Sequence, residues 1–182
     1  MAARSAGEVQ FTDYGLSGPA IFEVSRQAAR EKGGVVRLDL LRRVGPEELE
    51  EMLLARRDSG LTAENLLTGI LHNRLGRTVL LSLGFGLNAP VSGLSGDDVC
   101  RIVRAVKATE IRVTGDLGME GAQVTAGGIR TAEFDPETME SRLVPGLFAC
   151  GEVLDVDGDC GGYNLQWAFS SGRLAGCLGD KG

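Results

Sequence analysis

The chain has 182 residues, a formal net charge of −6 and a pI near 4.9, with 43% hydrophobic and 24% charged residues. That is an ordinary soluble globular composition, and its acidic balance argues against nucleic acid or an anionic membrane as a main partner, because both are bound through clustered Lys and Arg. Apolar runs such as Val79-Leu80-Leu81 are too short to span a bilayer, and Met1 to Ser5 lack a leader-like apolar stretch, so a cytoplasmic protein is expected.

The chain opens with a short alternating strand over Glu8–Thr12. Ser17 is a candidate N-cap and Pro19 suits a first helical position, so a helix is expected from about Gly18 to Glu31. Gly33-Gly34 ends it, and Val35 to Leu40 alternates as a strand. Glu47, Glu48, Glu50 and Glu51 then crowd the first turn of a helix, where carboxylates favour the positive end, and they read as a solvated face. A second helix is expected from about Thr62, with Leu66, Leu67, Ile70 and Leu71 at helical spacing and His72 late in it. A third covers about Arg74–Leu83. A fourth follows a capping Ser95 and carries Val99, Ile102, Val103 and Val106 on one side. Residues 45–108 therefore read as a helical module.

From Thr109 the pattern returns to strands. Ile111 and Val113 alternate, Gly121–Ala126 leads into Gly127-Gly128, and Ile129–Phe134 with Met139–Leu143 flank the turn former Asp135-Pro136-Glu137-Thr138. Leu147–Cys150 is a short apolar strand, and Leu165–Leu178 is a helix after a glycine-rich loop. Glycine is 27 of 182 residues, about twice average usage. The cysteines Cys100, Cys150, Cys160 and Cys177 form no C-x-x-C pair and no metal spacing with the single His72; each is expected to be a small buried residue.

Two segments carry chemistry. In Pro145 to Asp155 an apolar strand ends in Gly151 followed by Glu152. Glycine there lets backbone approach a ligand, and the carboxylate accepts a hydroxyl hydrogen bond, as a flavin's ribityl chain requires. The bland alternative is a tight turn with a solvated Glu. Asp157 to Gln166 then opens the last helix, where Gly161-Gly162 expose backbone amides at the positive helix end and Asn164 and Gln166 add amide groups. Gly84-Phe85-Gly86-Leu87-Asn88-Ala89 fits G-x-G-x-x-A but is rejected as a dinucleotide fingerprint. Pro90 breaks the helix it should open, and a glycine helix stop explains it better. Trp167 reads as helix packing.

Taken together, Gln123 to Gly128, Thr138 to Ser141, Leu143 to Leu147 and Gly161 to Gly172, with Phe11 to Pro19 as a second block, closely resemble a family of bacterial FAD-binding flavoproteins, the NAD(P)/FAD-dependent oxidoreductases. Aminoacetone oxidases and reductases of dehydro-bile acids are among its members. The likeness runs from Gly7 to about Leu178. It implies an α+β fold: a β-barrel-like domain (7–44 and 109–143), an all-helical domain inserted in it (45–108), and the final strand and helix of a Rossmann-type FAD domain (144–182) whose N-terminal part is absent. It also implies FAD held by Gly127, Gly128, Gly151, Glu152, Asp155, Gly161, Gly162, Tyr163, Asn164, Leu165 and Gln166. Thr12 and Tyr14, on a loop before a helix, are substrate-side candidates, with a Tyr buried in a strand-helix corner the equal alternative. Asp13 departs from the family, where His is common, and Cys160 has no assigned role. The expected function is the C-terminal portion of an FAD-dependent oxidoreductase using a small organic substrate and NAD(P)H. This chain alone is expected to hold FAD weakly or not at all and to be inactive. The rival is a non-catalytic substrate-capping or interaction module. No catalytic residue and no metal site is assigned.

Overall fold

The computed structural model describes residues 3–31 and 33–178, with the side chains of 29–31 left aside. Two compact units result, one of Gly34–Val113 and one of Met1–Gly33 with Thr114–Gly182.

In the unit Gly34–Val113, strand β3 (Gly34–Leu38) pairs antiparallel with β4 (Thr109–Val113), from Gly34 opposite Val113 to Leu38 opposite Thr109. The helices between them therefore leave and return at neighbouring ladder positions. Helix α2 (Pro46–Ala55) starts on proline with Glu47 and Glu48 in its first turn and buries Leu49 and Leu53. Helix α5 (Gly96–Lys107) begins with a capping box. The Ser95 hydroxyl accepts the Asp98 amide at 3.1 Å, and the Asp98 carboxylate accepts the Ser95 amide at 3.0 Å. Its buried Val99, Ile102, Val103 and Val106 fall on one stripe. Lys107, at the other end, donates to the carbonyls of Leu41 and Val44 and pairs with Asp39 at 2.7 Å, fixing the chain leaving β3.

The expected second helix is corrected. Helix α3 spans only Ala63–Leu66, because Gly69 turns to φ 79° and Arg56 takes the Leu66 and Thr68 carbonyls. His72 consequently precedes helix α4 (Asn73–Ser82) and lies at its N-terminal end, where the dipole disfavours a cation, rather than late in a helix. Helix α4 closes as a Schellman motif: the Gly84 amide donates to Leu81 and that of Phe85 to Leu80, with Gly84 at φ 83°. The segment resembling a dinucleotide fingerprint is thus a helix end. Leu49, Leu53, Leu66, Leu80, Val91 and Ile102 head the core of this unit.

The other unit contains the hairpin β1 (Gln10–Thr12) and β2 (Gly15–Ser17), helix α1 (Pro19–Glu31) and helix α6 (Tyr163–Gly176). Ser17 belongs to β2, and the Gly18 carbonyl begins the helix by accepting from Ile21 and Phe22. The barrel-like sheet is not formed among the described residues. The expected strands between 121 and 150 are replaced by single-turn 3-10 helices at Met119–Gly121 and Thr131–Glu133 and by isolated bridges, Phe134 with Ser141, Glu140 with Phe148 and Ile129 with Leu154. A barrel needs continuous ladders, and Gly127, Gly128 and Gly146, all at positive φ, interrupt the extended run. Around Asp135 to Thr138 the expected reversal does occur: Asp135 and Arg142 donate to Glu140 and Glu133 across it. The core here is small, Phe134, Met139, Leu154 and Ala175.

All four cysteines are exposed and free, against the expectation of burial. Cys100 lies off the buried stripe of α5, and the small core around Phe134 leaves the other three outside it. Among the described residues no helix is long and apolar enough to cross a membrane.

Candidate functional site

The glycine-rich segments expected to act together are assembled around helix α6. Residues Gly151–Val153 form one 3-10 turn, and Gly151 is clamped by two side chains of α6. The buried Ser171 hydroxyl accepts the Gly151 amide at 2.9 Å and donates to the Trp167 carbonyl, while the Trp167 indole donates to the Gly151 carbonyl at 3.0 Å. Both polar atoms of one peptide position are thereby satisfied by a single helix. Trp167 is a brace, as its packing role implied, with an additional polar function at its ring nitrogen.

The Gly127-Gly128 segment joins the same turn. Ile129 donates to Val153 at 2.9 Å and accepts from Asp155 at 2.8 Å, a parallel bridge to Leu154. Gly128 has φ 147°, and a Cβ there would meet the Val153 carbonyl oxygen at 2.7 Å and the Asp155 nitrogen at 2.8 Å, so only glycine fits. Glu152 is exposed and one of its carboxylate oxygens accepts the Thr125 amide. Gly127, Gly128, Gly151, Glu152 and Asp155 are thus brought together.

Beyond Asp155 the chain loops into α6. The Asn164 side-chain amide accepts from the Gly158 nitrogen at 2.7 Å and donates to the Gly158 carbonyl at 3.1 Å, closing the loop on itself. Gly161 and Gly162 enter the helix at φ 133° and 93°. Gly162 is the helix N-cap and has open space where a Cβ would stand. Tyr163 and Leu165 are exposed, and the Gln166 amide turns along the helix to the Ser170 hydroxyl. A cleft of about 540 Å³ opens beside the loop, lined by Ser5, Pro19, Ala20, Glu23, Gly161 and Tyr163 among others.

The family described as HI0933-like protein Rossmann domain matches residues 27–178. The chain belongs to this family. It is 39% identical to the 3-dehydro-bile acid delta(4,6)-reductase of Clostridium scindens over 96% of its own length and 44% of the relative's. It is 37% identical to the ribosomal RNA dihydrouridine synthase of Escherichia coli over 88% of its length and 39% of the relative's. The corresponding figures for the protein of that name from Haemophilus influenzae are 34%, 90% and 40%. The chain thus spans less than half the length of these curated relatives.

Within this HI0933-like chain, Thr12 and Tyr14 lie in the β1–β2 hairpin. The Thr12 hydroxyl donates to the Gly15 carbonyl inside the β1–β2 hairpin, and Tyr14 is exposed at its turn. Four residues that sequence reasoning did not select are part of the cluster: Ser171 and Trp167 on α6, and Glu23 and Arg26 on α1. Arg26 pairs with Asp157 at 2.6 Å and the Glu23 carboxylate accepts the Cys160 amide at 2.6 Å. The only signal for the α1 pair was two charges one helical turn apart, which a solvated face produces equally well. Among the described residues no group of His, Cys, Asp or Glu is arranged to hold a metal ion.

Proposed function

We propose that these residues supply part of the FAD site of an oxidoreductase that reduces an activated carbon–carbon double bond in a small organic substrate, with NAD(P)H as electron donor and in a cytoplasmic setting. The carrying observation is that Gly127-Gly128 and Gly151 meet in one turn clamped against the middle of α6 while Gly161-Gly162 open its N-terminus, all at positive φ. At Gly127 and Gly162 a Cβ would meet nothing within 4 Å, so these open faces suit a flat ring lying against bare backbone. The first amides of α6 lack intrahelical acceptors and sit at the positive end of the dipole, which suits the electron-rich edge of a reduced flavin. A bound flavin supplies the hydride chemistry. The residues here would admit the ring, orient it at the start of α6, and offer the Glu152 carboxylate to a ribityl hydroxyl.

The substrate class rests on what the relatives' names share. A delta(4,6)-reductase and a synthase of dihydrouridine both place hydrogens across a carbon–carbon double bond. The net charge of −6 favours a small molecule over a polyanion for this chain. Leu165 and Phe169, 64% and 72% exposed and one turn apart on α6, fit a face covered by further polypeptide of the same flavoprotein.

The rival reading is a capping or interaction module without catalysis, in which the exposed Leu165 and Phe169 would face a partner protein. An anaerobic titration separates the two. This sequence is joined to the N-terminal part of its Clostridium scindens relative, and the purified protein is supplied with FAD, reduced with NADPH, and offered a conjugated enone or its saturated ketone. Reoxidation of the flavin absorbance by the enone alone is the expected result. Bound flavin that the enone never reoxidises would reject the substrate class, and failure to bind FAD would favour the module.

A further inference from the structure

The loop that delivers Gly161 and Gly162 is intrinsically loose, since Gly158, Gly161 and Gly162 fall within five consecutive positions. Helix α1 contacts four consecutive residues just before those glycines. Arg26 pairs through Nε with Asp157 at 2.6 Å, donates through Nη2 to the Gly158 carbonyl at 3.2 Å, and lies 3.8 Å from the Asp159 carboxylate. Glu23, one turn earlier on the same helix, accepts the Cys160 amide at 2.6 Å and lines the cleft beside Gly161. A planar guanidinium reaches several acceptors in fixed directions, which a lysine ammonium does not reproduce.

We infer that Glu23 and Arg26 are positioning residues that set the backbone of residues 157–162 for the flavin, a role that rests on the proposed FAD site. Each acts by holding the loop, Arg26 through its first three residues and Glu23 through the amide of Cys160. The Gly158–Asn164 pair closes the loop toward α6, and the α1 pair fixes it from the opposite side of the sequence.

The test is an NMR titration with FAD itself of this sequence, isotope-labelled and joined to the N-terminal part of its Clostridium scindens relative, followed at the Gly161 and Gly162 amides. In the wild type both resonances shift on adding FAD. In Arg26→Ala and Glu23→Ala both amides are already displaced without FAD, and the midpoint rises by about tenfold or more. Glu23→Gln keeps an oxygen acceptor for the Cys160 amide and restores the wild-type midpoint, and Arg26→Lys does not match wild type. These rescue patterns are independent of the thermal midpoint, which is measured alongside. Wild-type midpoints in Arg26→Ala and Glu23→Ala would overturn the positioning role and leave the FAD site standing. Absence of any FAD-dependent shift in the wild type would overturn the FAD site and this inference with it.

Discussion

Gly128 and Gly162 share a positive φ but have different causes, and a substitution at each separates them. At Gly128 the restriction is packing, since a Cβ would press on the backbone of Val153 and Asp155. Gly128→Ala should destabilise the protein by about 3 kcal/mol and break the bridge between Ile129 and Leu154. At Gly162 the space is open, so Gly162→Val should cost only the left-handed backbone strain, roughly 1–2 kcal/mol. Thermal unfolding of the two variants checks the order, and a larger loss at Gly162 would contradict it. Gly161 and Gly162 were legible in the sequence because a glycine pair directly before an apolar helical run is a local signal. The contact of Gly128 with residues 153–155 was not, because it joins segments distant in sequence. The cysteines show the same limit: burial was inferred from residue type, whereas exposure followed from how little core forms around Phe134.

Helices α5 and α6 are held by different groups. In α5 the capping hydrogen bonds from the Ser95 side chain and backbone, with Arg101 adding to them, hold the Asp98 carboxyl below its ordinary value of 3.8. A depressed carboxyl stabilises the folded state fully above the unfolded value and loses that stabilisation as pH falls through the folded one. The start of α5 should therefore fray on acidification below about pH 4. Asp98→Asn should flatten that dependence, as read by amide exchange at Val99 to Ile102, and an unchanged acid profile would contradict the capping account. In α6 the decisive group is Ser171, buried and bonded to both Gly151 and Trp167. Ser171→Ala leaves a buried Gly151 amide unpaired and should cost roughly 1–3 kcal/mol in urea unfolding; a neutral result would show that water or a shift of the turn replaces the hydroxyl. The Ser95 cap was readable from the sequence, and the answering Asp98 carboxylate came with the structure. The Ser171 contact was not, because a serine mid-helix gives no sign of which distant peptide it will meet.

The two compact units differ in how completely they bury apolar side chains. Gly34–Val113 encloses a continuous leucine and valine core, whereas the other unit exposes Leu143, Val144, Leu147, Leu165 and Phe169. Residues Gly34–Val113 made alone, with ends already paired through β3 and β4, should fold cooperatively with roughly 3–5 kcal/mol of stability. A non-cooperative melt by circular dichroism would contradict this. At this scale the helical texture of residues 45–108 was legible because periodicity is local. The strands between 121 and 150 were over-read, because alternation reports compatibility with a sheet and not the partner that completes one. The central claim, that the glycine segments around α6 hold a flavin, is tested most directly by equilibrium FAD binding, followed through flavin fluorescence, in this sequence joined to the N-terminal part of its Clostridium scindens relative, as wild type, Gly162→Val and Cys177→Ala. The account predicts that Cys177→Ala binds like wild type and that Gly162→Val is weakened by about tenfold or more. Equal affinity in all three would show that Gly161-Gly162 merely cap a helix.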